Sequence, residues 1–304
     1  MKTTGYPYLF VIILLSVSCE NFDLFSDPEQ NNDPADPGAF SLVINDSLIY
    51  DGSAIDFYDM SSHLIYLKEG YSFVCNRSGS FSIYTGDEEI YTGILFPPYS
   101  CMIPIGPVIY CPPYLYNDYI IPIGFSNYFD SLGNPLPDPR DHPQIIEALK
   151  ENDQYRAGLS CEITEIEKSN PNKIDLTLKL TNREEGDIYY LDPRKMGTEL
   201  FHYFTNGLYL TNSEGVMYTP QLSVSEPEPW DAWEPAWLSP LSGGASQILV
   251  LSYSYIEVIG NGEYAVDFIF PGLGYQVSRD DLQQYDRLWL GKLLVSDTLY
   301  LETP

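Results

Sequence analysis

Positively charged side chains are scarce in this sequence. Its 304 residues hold 15 Lys and Arg against 43 Asp and Glu, which gives a formal net charge of −28. A surface this acidic repels phosphate backbones, so we expect no nucleic-acid partner. The sequence also lacks any apolar run of about 18 residues, the length needed for a helix that spans a bilayer.

Recognisable catalytic and metal-binding motifs are missing as well. The sequence contains no GxSxG, SxxK or HExxH motif and no D-x-[DN]-x-[DN]-G calcium loop. His63 and His202 lie on strand-like runs, where we predict structural roles. His142 follows the charged run 138–141 and could act as a base, but we favour the alternative that this run is a charged loop leading into a helix cap. We therefore predict no catalytic residue, no metal, no cofactor and no enzymatic activity.

The N-terminus has the features of an export leader. Lys2 supplies a positive start, and Tyr8–Leu15 is an apolar stretch of eight residues, the usual size for the core of a secretion signal. The string Leu15-Ser16-Val17-Ser18-Cys19 resembles the lipobox of bacterial lipoproteins, in the relaxed form often seen in Bacteroidota. The resemblance implies removal of residues 1–18 and lipid on the thiol and new amino group of Cys19. The alternative is an ordinary signal peptide with an incidental cysteine.

An acidic, proline-containing stretch follows the cysteine. Residues 19–39 carry six acidic side chains and no basic one. Such a segment buries too little apolar surface to order itself, so we predict a flexible tether. It also resembles the export signals of surface-exposed Bacteroidota lipoproteins. We expect a protein of the cell envelope that is anchored by lipid to the outer membrane. The sequence is compatible with either the periplasmic or the surface face of that membrane.

Four cysteines remain once Cys19 is set aside. Export to an oxidising compartment permits disulfides, and an even number permits two pairs. Cys101 and Cys111 bracket a short proline-rich loop and form the first predicted pair. Cys75 and Cys161 form the second. The alternative is four reduced, buried thiols, because free cysteine packs as a small hydrophobe.

Residues 40–155 are predicted to form an N-terminal antiparallel β domain. Short alternating runs such as His63–Leu67 are separated by turn residues such as Asn45-Asp46. The segment 96–123 is rich in Tyr and Pro, and since proline cannot donate to a sheet, we expect edges and loops there rather than central strands. One short linking helix is predicted, capped by Asp141 and ending near Asn152.

Residues 156–304 are predicted to form a β-sandwich. Lys173–Thr181 alternates apolar and polar residues, as a half-buried strand does. Further predicted strands cover 159–167, 201–211, 246–256, 263–270 and 287–301. Asn261-Gly262 is predicted to form a tight hairpin. The string around Tyr264 resembles the tyrosine corner of immunoglobulin-like sandwiches, which implies that fold for this half.

Three tryptophans mark a candidate ligand-binding loop. Trp230, Trp233 and Trp237 lie within eight residues, among Pro, Asp and Glu. Indole rings beside carboxylates suit sugar recognition, and an exposed aromatic patch equally suits a protein partner. Alternatively, the rings fold back and cover the sandwich. The Tyr/Pro-rich segment is a second candidate.

These features together predict a lipid-anchored envelope protein of all-β fold. Its expected role is non-catalytic binding of a glycan or an envelope protein, with the membrane as a partner through the anchor. Two alternatives stay open. Residues 172–219 loosely resemble the intracellular proteinase inhibitors of Bacillus, which implies an inhibitor. A hydrolase with an unrecognised site near His142 is the other.

Overall fold

The computed structural model of the chain describes residues 38–302, apart from 76–77, 98, 102, 114, 127–128, 130–133, 135–136, 206, 222–232 and 274–276. The predicted leader, Cys19 and Trp230 lie outside the described residues. Strands take up about 48% of the structure and helices 13%, which confirms the predicted all-β class. All described residues belong to one compact unit, Asp36–Pro304.

The described part of the N-terminal half contains ten short strands. They are β1 (Phe40–Ile44), β2 (Leu48–Tyr50), β3 (Ile55–Asp59), β4 (Leu64–Leu67), β5 (Gly79–Thr85), β6 (Glu88–Phe96), β7 (Gly106–Tyr110), β8 (Ile120–Pro122), β9 (Gly124–Ser126) and β10 (Tyr155–Arg156). Asn45 and Asp46 have φ of 49° and 56° and turn the chain between β1 and β2. Asn and Asp tolerate this left-handed conformation better than most residues, as the turn prediction assumed.

The strands form two sheets around one hydrophobic cluster. One sheet has the order β2-β1-β5-β6-β7-β9 and the other the order β10-β3-β4-β8. Leu42 and Ile83 of the first sheet and Ile65 and Ile121 of the second are buried in the same cluster. The linking helix contributes Ile145, Ala148 and Leu149 to that cluster.

The linking helix α1 (Pro143–Glu151) is preceded by a 3₁₀ turn at Pro139–Asp141. The predicted cap at Asp141 is wrong, because the N-cap residue is His142, whose side chain makes no capping bond. Asp138 caps the 3₁₀ turn instead by accepting a hydrogen bond from the Arg140 amide. The extra turn moves the capping carboxylate three residues upstream. Asn152 is the C-cap, which confirms the predicted helix end.

The C-terminal half contains nine strands and three short helices in its described part. They are β11 (Leu159–Asn170), β12 (Lys173–Asn182), β13 (Ile188–Leu191), α2 (Pro193–Met196), α3 (Thr198–Thr205), β14 (Leu208–Asn212), β15 (Met217–Tyr218), β16 (Leu238–Leu241), β17 (Ser246–Ser254), β18 (Gly262–Phe270), α4 (Arg279–Leu282) and β19 (Leu293–Leu301). None of the helices in the described residues is long and apolar enough to cross a membrane.

These strands pack as an immunoglobulin-like sandwich. One sheet has the order β11-β12-β17 and the other β15-β14-β18-β19. In immunoglobulin notation these correspond to A-B-E and C′-C-F-G. Strands β13 and β16 pair with each other in a separate two-stranded sheet, where the immunoglobulin fold would add strand D beside E. Leu176 and Leu178 of β12 and Val266 and Phe268 of β18 lie in one core cluster. The alternation predicted for β12 is confirmed, since buried and half-buried residues alternate along all of it.

The tyrosine corner is also present. Tyr264, near the start of β18, donates a hydrogen bond from its hydroxyl to the Gly260 carbonyl at 3.2 Å. This bond fixes the connection that carries the chain from one sheet to the other. The tight hairpin predicted at Asn261-Gly262 is therefore wrong, because β17 and β18 pair with strands of different sheets.

Two predicted strands differ from the structure. The strand predicted at 201–211 divides into α3 and β14, so His202 lies on a helix. The aromatic residues of Leu200–Phe204 favour a strand by propensity, but Phe201 and Thr205 share a buried helical face, and tertiary packing decides. The strand predicted at 287–301 begins only at Leu293.

The predicted boundary between residues 155 and 156 falls within β10, which pairs in parallel with β3. An arginine then joins the two halves. The Arg287 guanidinium makes ion pairs with the fully buried Asp59 and with Glu184, and lies 5.0 Å from the centre of the Phe57 ring. Because a buried carboxylate needs a partner, this contact holds the halves together.

Candidate binding surface

The Tyr/Pro-rich segment follows an unexpected path through the first sheet. Strands β6 and β7 are parallel, with Phe96 opposite Tyr110. Residues 97–105 must therefore return from the end of β6 to the start of β7. The expectation that this segment holds no central strand is wrong, since β7 lies between β6 and β9. Its one proline, Pro107, precedes Val108, where the pairing with β6 begins, so the missing N–H does not interrupt that ladder.

This segment exposes large apolar side chains. Tyr99 is 80% exposed, Ile103 72% and Ile105 54% in the return loop, and Tyr110 is 42% exposed at the end of β7. Val74, Leu115 and these four residues together are called the Tyr/Ile surface below. Tyr110 packs edge-to-face on Phe96 at 5.9 Å, which fixes its ring while leaving part of it in solvent. Exposed apolar side chains concentrated in one segment of the chain make that segment a candidate interaction site.

A disulfide between Cys75 and Cys111 stabilises the surface, with their Cα atoms 5.1 Å apart. It holds Val74 beside the end of β7. Both predicted pairs, Cys101 with Cys111 and Cys75 with Cys161, are wrong. The buried end of β7 meets the segment after β4, whereas Cys101 is exposed on the return loop. Cys161 lies on β11 in the other half, where burial raises the pKa of its thiol to about 12.

The stretch that supplies most of this surface carries no charge. Residues 90–117 contain no Asp, Glu, Lys, Arg or His, in a chain with 58 Asp, Glu, Lys and Arg residues. This charge-free run is the sequence signal for Ile103 and Ile105, which lie within the second candidate segment but were not named individually. A segment of this composition has no charge of its own that would lose hydration when a partner covers it.

The predicted tryptophan loop is described only in part. Trp233 and Trp237 are half-buried and pack against the C-terminal core. Trp237 meets Phe204 edge-to-face at 6.1 Å, and its carbonyl accepts a hydrogen bond from the Asp192 amide at 2.9 Å. These contacts are those of rings that cover the sandwich, the alternative left open by the sequence.

The charged run 138–141 surrounds a different histidine from the one expected. His63 has φ of 53°, its Nδ1 lies 3.1 Å from the Tyr58 hydroxyl, and its Nε2 lies 3.9 Å from Asp141. Arg140 binds Asp138 through a two-pronged ion pair and donates to the Ile123 carbonyl. Burial and then the Arg140 charge lower the pKa of His63 to about 3, and Asp138 opposes them. The ring is therefore neutral at physiological pH.

The other two histidines have separate surroundings. The Nδ1 atom of His142 is buried and has no hydrogen-bond partner within the described residues. His202 lies on α3, where its ring contacts Tyr253 and its Nε2 lies 3.1 Å from the Ser252 carbonyl. In the part of the chain that the structure describes, no three His, Cys, Asp or Glu side chains are grouped to hold a metal ion.

Comparison with known proteins gives distant similarities. No family model and no curated protein matches the chain. The yjhA protein from Bacillus subtilis is 15% identical over 49% of this chain and 95% of its own, with a TM-score of 0.23. A β-glucosidase from Kluyveromyces marxianus is 14% identical over 48% of this chain and 15% of its own, with a TM-score of 0.19. Similarities this low carry no argument about function.

Proposed function

We propose that this chain is an exported protein of the bacterial envelope, anchored by lipid on Cys19, which acts by binding a partner through the Tyr/Ile surface and not by catalysis. The leader and the Leu15–Cys19 string support the anchor, and the acidic stretch behind them supports a tether. The chain would then present its two β halves at the outer membrane.

The disulfide supports export. Structural disulfides persist in oxidising compartments and are rare in the cytosol. Cys75 and Cys111 are buried at 8% and 2% exposure, within the cluster that holds the first two sheets together. A buried bond of this kind fits a protein that folds after export.

The observation that carries the binding role is the concentration of exposed apolar side chains in the charge-free run 90–117, which supplies five of the six residues of the Tyr/Ile surface. Sugar sites combine ring faces with carboxylates or amides that accept hydroxyl protons. The run 90–117 has no carboxylate to offer, so the surface favours a protein partner over a glycan. Exposed tyrosine is typical of the centre of a protein interface.

Site-specific photo-crosslinking in a bacterial host that processes lipoproteins tests this proposal. A photoreactive residue replaces Ile103 in one strain and Val250, an exposed apolar residue of β17, in the control strain. We expect a discrete adduct from position 103 alone, in the membrane fraction, and loss of membrane retention in Cys19→Ser. Equal adduct patterns from both positions would refute the binding role, and a membrane-bound Cys19→Ser chain would refute the anchor.

A further inference from the structure

We infer that the outer face of the β15-β14-β18-β19 sheet is a second binding site, which takes a neutral polysaccharide. This face, called the outer sheet face below, consists of the outward-pointing residues of those four strands. The inference does not rest on the proposed function, because the Tyr/Ile surface belongs to the N-terminal half of the chain. It assigns a different class of partner to each half.

The strand pairing places the side chains of this face next to one another. The residues of β18 alternate between buried positions and exposed or half-buried ones, so every second side chain points outward. Two outward rows cross the strands β14, β18 and β19, namely Tyr209, Asp267 and Ser296 in one row and Thr211, Ala265 and Thr298 in the next. Residues that pair across neighbouring strands have Cβ atoms about 5 Å apart, so each row is continuous.

Two tyrosines lie at opposite ends of the outer sheet face. Tyr209 is half-buried on β14, and Tyr300 is 64% exposed on β19, where it pairs with Glu263 of β18. Tyr300 lies two strands across and four residues along from Tyr209, which corresponds to about 16 Å from the strand spacing and the rise per residue. A polysaccharide segment of a few sugar units spans this distance, and the C–H faces of its rings can pack on both tyrosines.

The side chains between the tyrosines match the hydroxyl groups of a sugar. Asp267 accepts a hydrogen bond from the Ser296 hydroxyl at 2.6 Å, which orients the carboxylate and leaves further lone pairs for ligand hydroxyls. The hydroxyls of Thr211 and Thr298 both donate and accept hydrogen bonds, as sugar hydroxyls do. Ala265 lies between these threonines and has only a methyl group, so a sugar ring can approach the sheet there.

Charge and composition favour a neutral glycan over other ligands. In its described part, the outer sheet face carries the carboxylates of Glu263 and Asp267 and no basic side chain. The net charge of −28 repels acidic polysaccharides. The exposed apolar residues Met217 and Leu294 lie on the two edge strands, at the margins of the face. Asp, Glu, Ser and Ala, which occupy much of its centre, are depleted in protein interfaces, so the face fits a protein partner poorly.

The outer sheet face is rigid before a ligand binds. Strand β18 pairs with β19 along its whole length and with β14 on its other side. Its inward residues Val266 and Phe268 are fully buried in the core of the sandwich. Because the strands are fixed, little conformational entropy of the protein is lost when a polysaccharide lies across them.

Affinity electrophoresis of residues 19–304 carrying Cys19→Ser tests the inference. This chain includes the whole compact unit and cannot carry the lipid anchor. The native gels contain a neutral polymer, which is xylan, mixed-linkage β-glucan, galactomannan or amylopectin, or the acidic polymer polygalacturonate. We expect at least one neutral polymer to retard the chain and polygalacturonate to leave its mobility unchanged.

Variants of the outer sheet face should weaken this retardation. Tyr209→Ala/Tyr300→Ala should raise the dissociation constant at least tenfold, because both ring contacts are lost. Tyr300→Ala alone changes an exposed side chain and should raise it at least threefold, as should Asp267→Asn, which removes a carboxylate acceptor. The matched control Tyr99→Ala/Tyr110→Ala, in the Tyr/Ile surface, should leave it unchanged. Far-ultraviolet circular dichroism confirms that each variant is folded.

Three results would overturn the glycan site. One is unchanged mobility in all four neutral polymers. Another is retardation that Tyr300→Ala and Asp267→Asn leave intact, or that the control weakens equally. The third is a discrete protein adduct in cells from a photoreactive residue at position 300, since that assigns the face to a protein. None of these results alters the crosslink expected from position 103, so the proposed function is tested separately.

Discussion

Removing the disulfide between Cys75 and Cys111 should destabilise the protein strongly. The bond closes a loop with a sequence separation of 36 residues. In the chain-entropy model, a cross-link of this span stabilises the folded state by about 4 kcal/mol, because it restricts the unfolded chain. The double variant Cys75→Ala/Cys111→Ala is therefore expected to lose about 4 kcal/mol of unfolding free energy.

Urea unfolding followed by tryptophan fluorescence measures this loss. Trp289 is 1% exposed and reports the C-terminal core, while the disulfide lies in the N-terminal half. One common transition would show that the halves unfold together, as the Arg287 contacts imply. Cys101→Ala is the matched control, since its side chain is exposed and its loss should cost less than about 0.5 kcal/mol.

Two results would refute this reasoning. A peptide map under non-reducing conditions that links Cys101 to Cys111 would contradict the pairing itself. A double variant that loses less than about 1 kcal/mol would show that the bond does not constrain the unfolded chain as the model requires.

Substitutions of three other side chains test the Arg287 contact between the halves, the burial of His63 and the tyrosine corner of the sandwich. Arg287→Met leaves Asp59 buried without its ion-pair partner and should lower the free energy of thermal unfolding by about 3 kcal/mol. Adding Asp59→Asn should recover part of this loss. A loss below about 1 kcal/mol would show that the ion pair does not hold the two halves together. The folded-state pKa of His63 is about 3, below its usual 6.5. The contribution of this neutral ring to the unfolding free energy is therefore fully present above pH 6.5 and is lost as the pH falls toward 3. Between pH 7 and pH 4 the wild type should thus lose roughly 3 kcal/mol more than His63→Gln, measured by urea unfolding at both pH values; parallel pH curves would contradict burial of a neutral ring. Tyr264→Phe should cost about 1 kcal/mol through the lost corner hydrogen bond, whereas Tyr300→Phe, at a residue that is 64% exposed, should cost nothing measurable.

Local pattern predicted the sandwich half of the fold well. The alternation of β12 and the string around Tyr264 depend on contacts within one strand or one turn, so a single sequence carries them. The immunoglobulin-like strand order then follows, because a corner at Tyr264 places β17 and β18 in opposite sheets. The same fact excludes the hairpin at Asn261-Gly262, so two of the sequence predictions were incompatible.

The sequence predictions that were wrong depend on contacts between segments that are far apart in the chain. Pairing Cys75 with Cys111 requires knowing that β7 runs parallel to β6, which no short-range signal reveals. The α3 helix is decided by burial of Phe201 and Thr205 rather than by propensity. The packing of Trp233 and Trp237 against the C-terminal core is likewise a contact that their proline-rich loop does not reveal.

Mass spectrometry of the N-terminal peptide from the membrane fraction tests the central claim most directly. We expect a chain that begins at Cys19, with diacylglycerol on the thiol and an acyl group on the new α-amine. A chain that retains residues 1–18, or one whose Cys19 carries a free thiol, would contradict it.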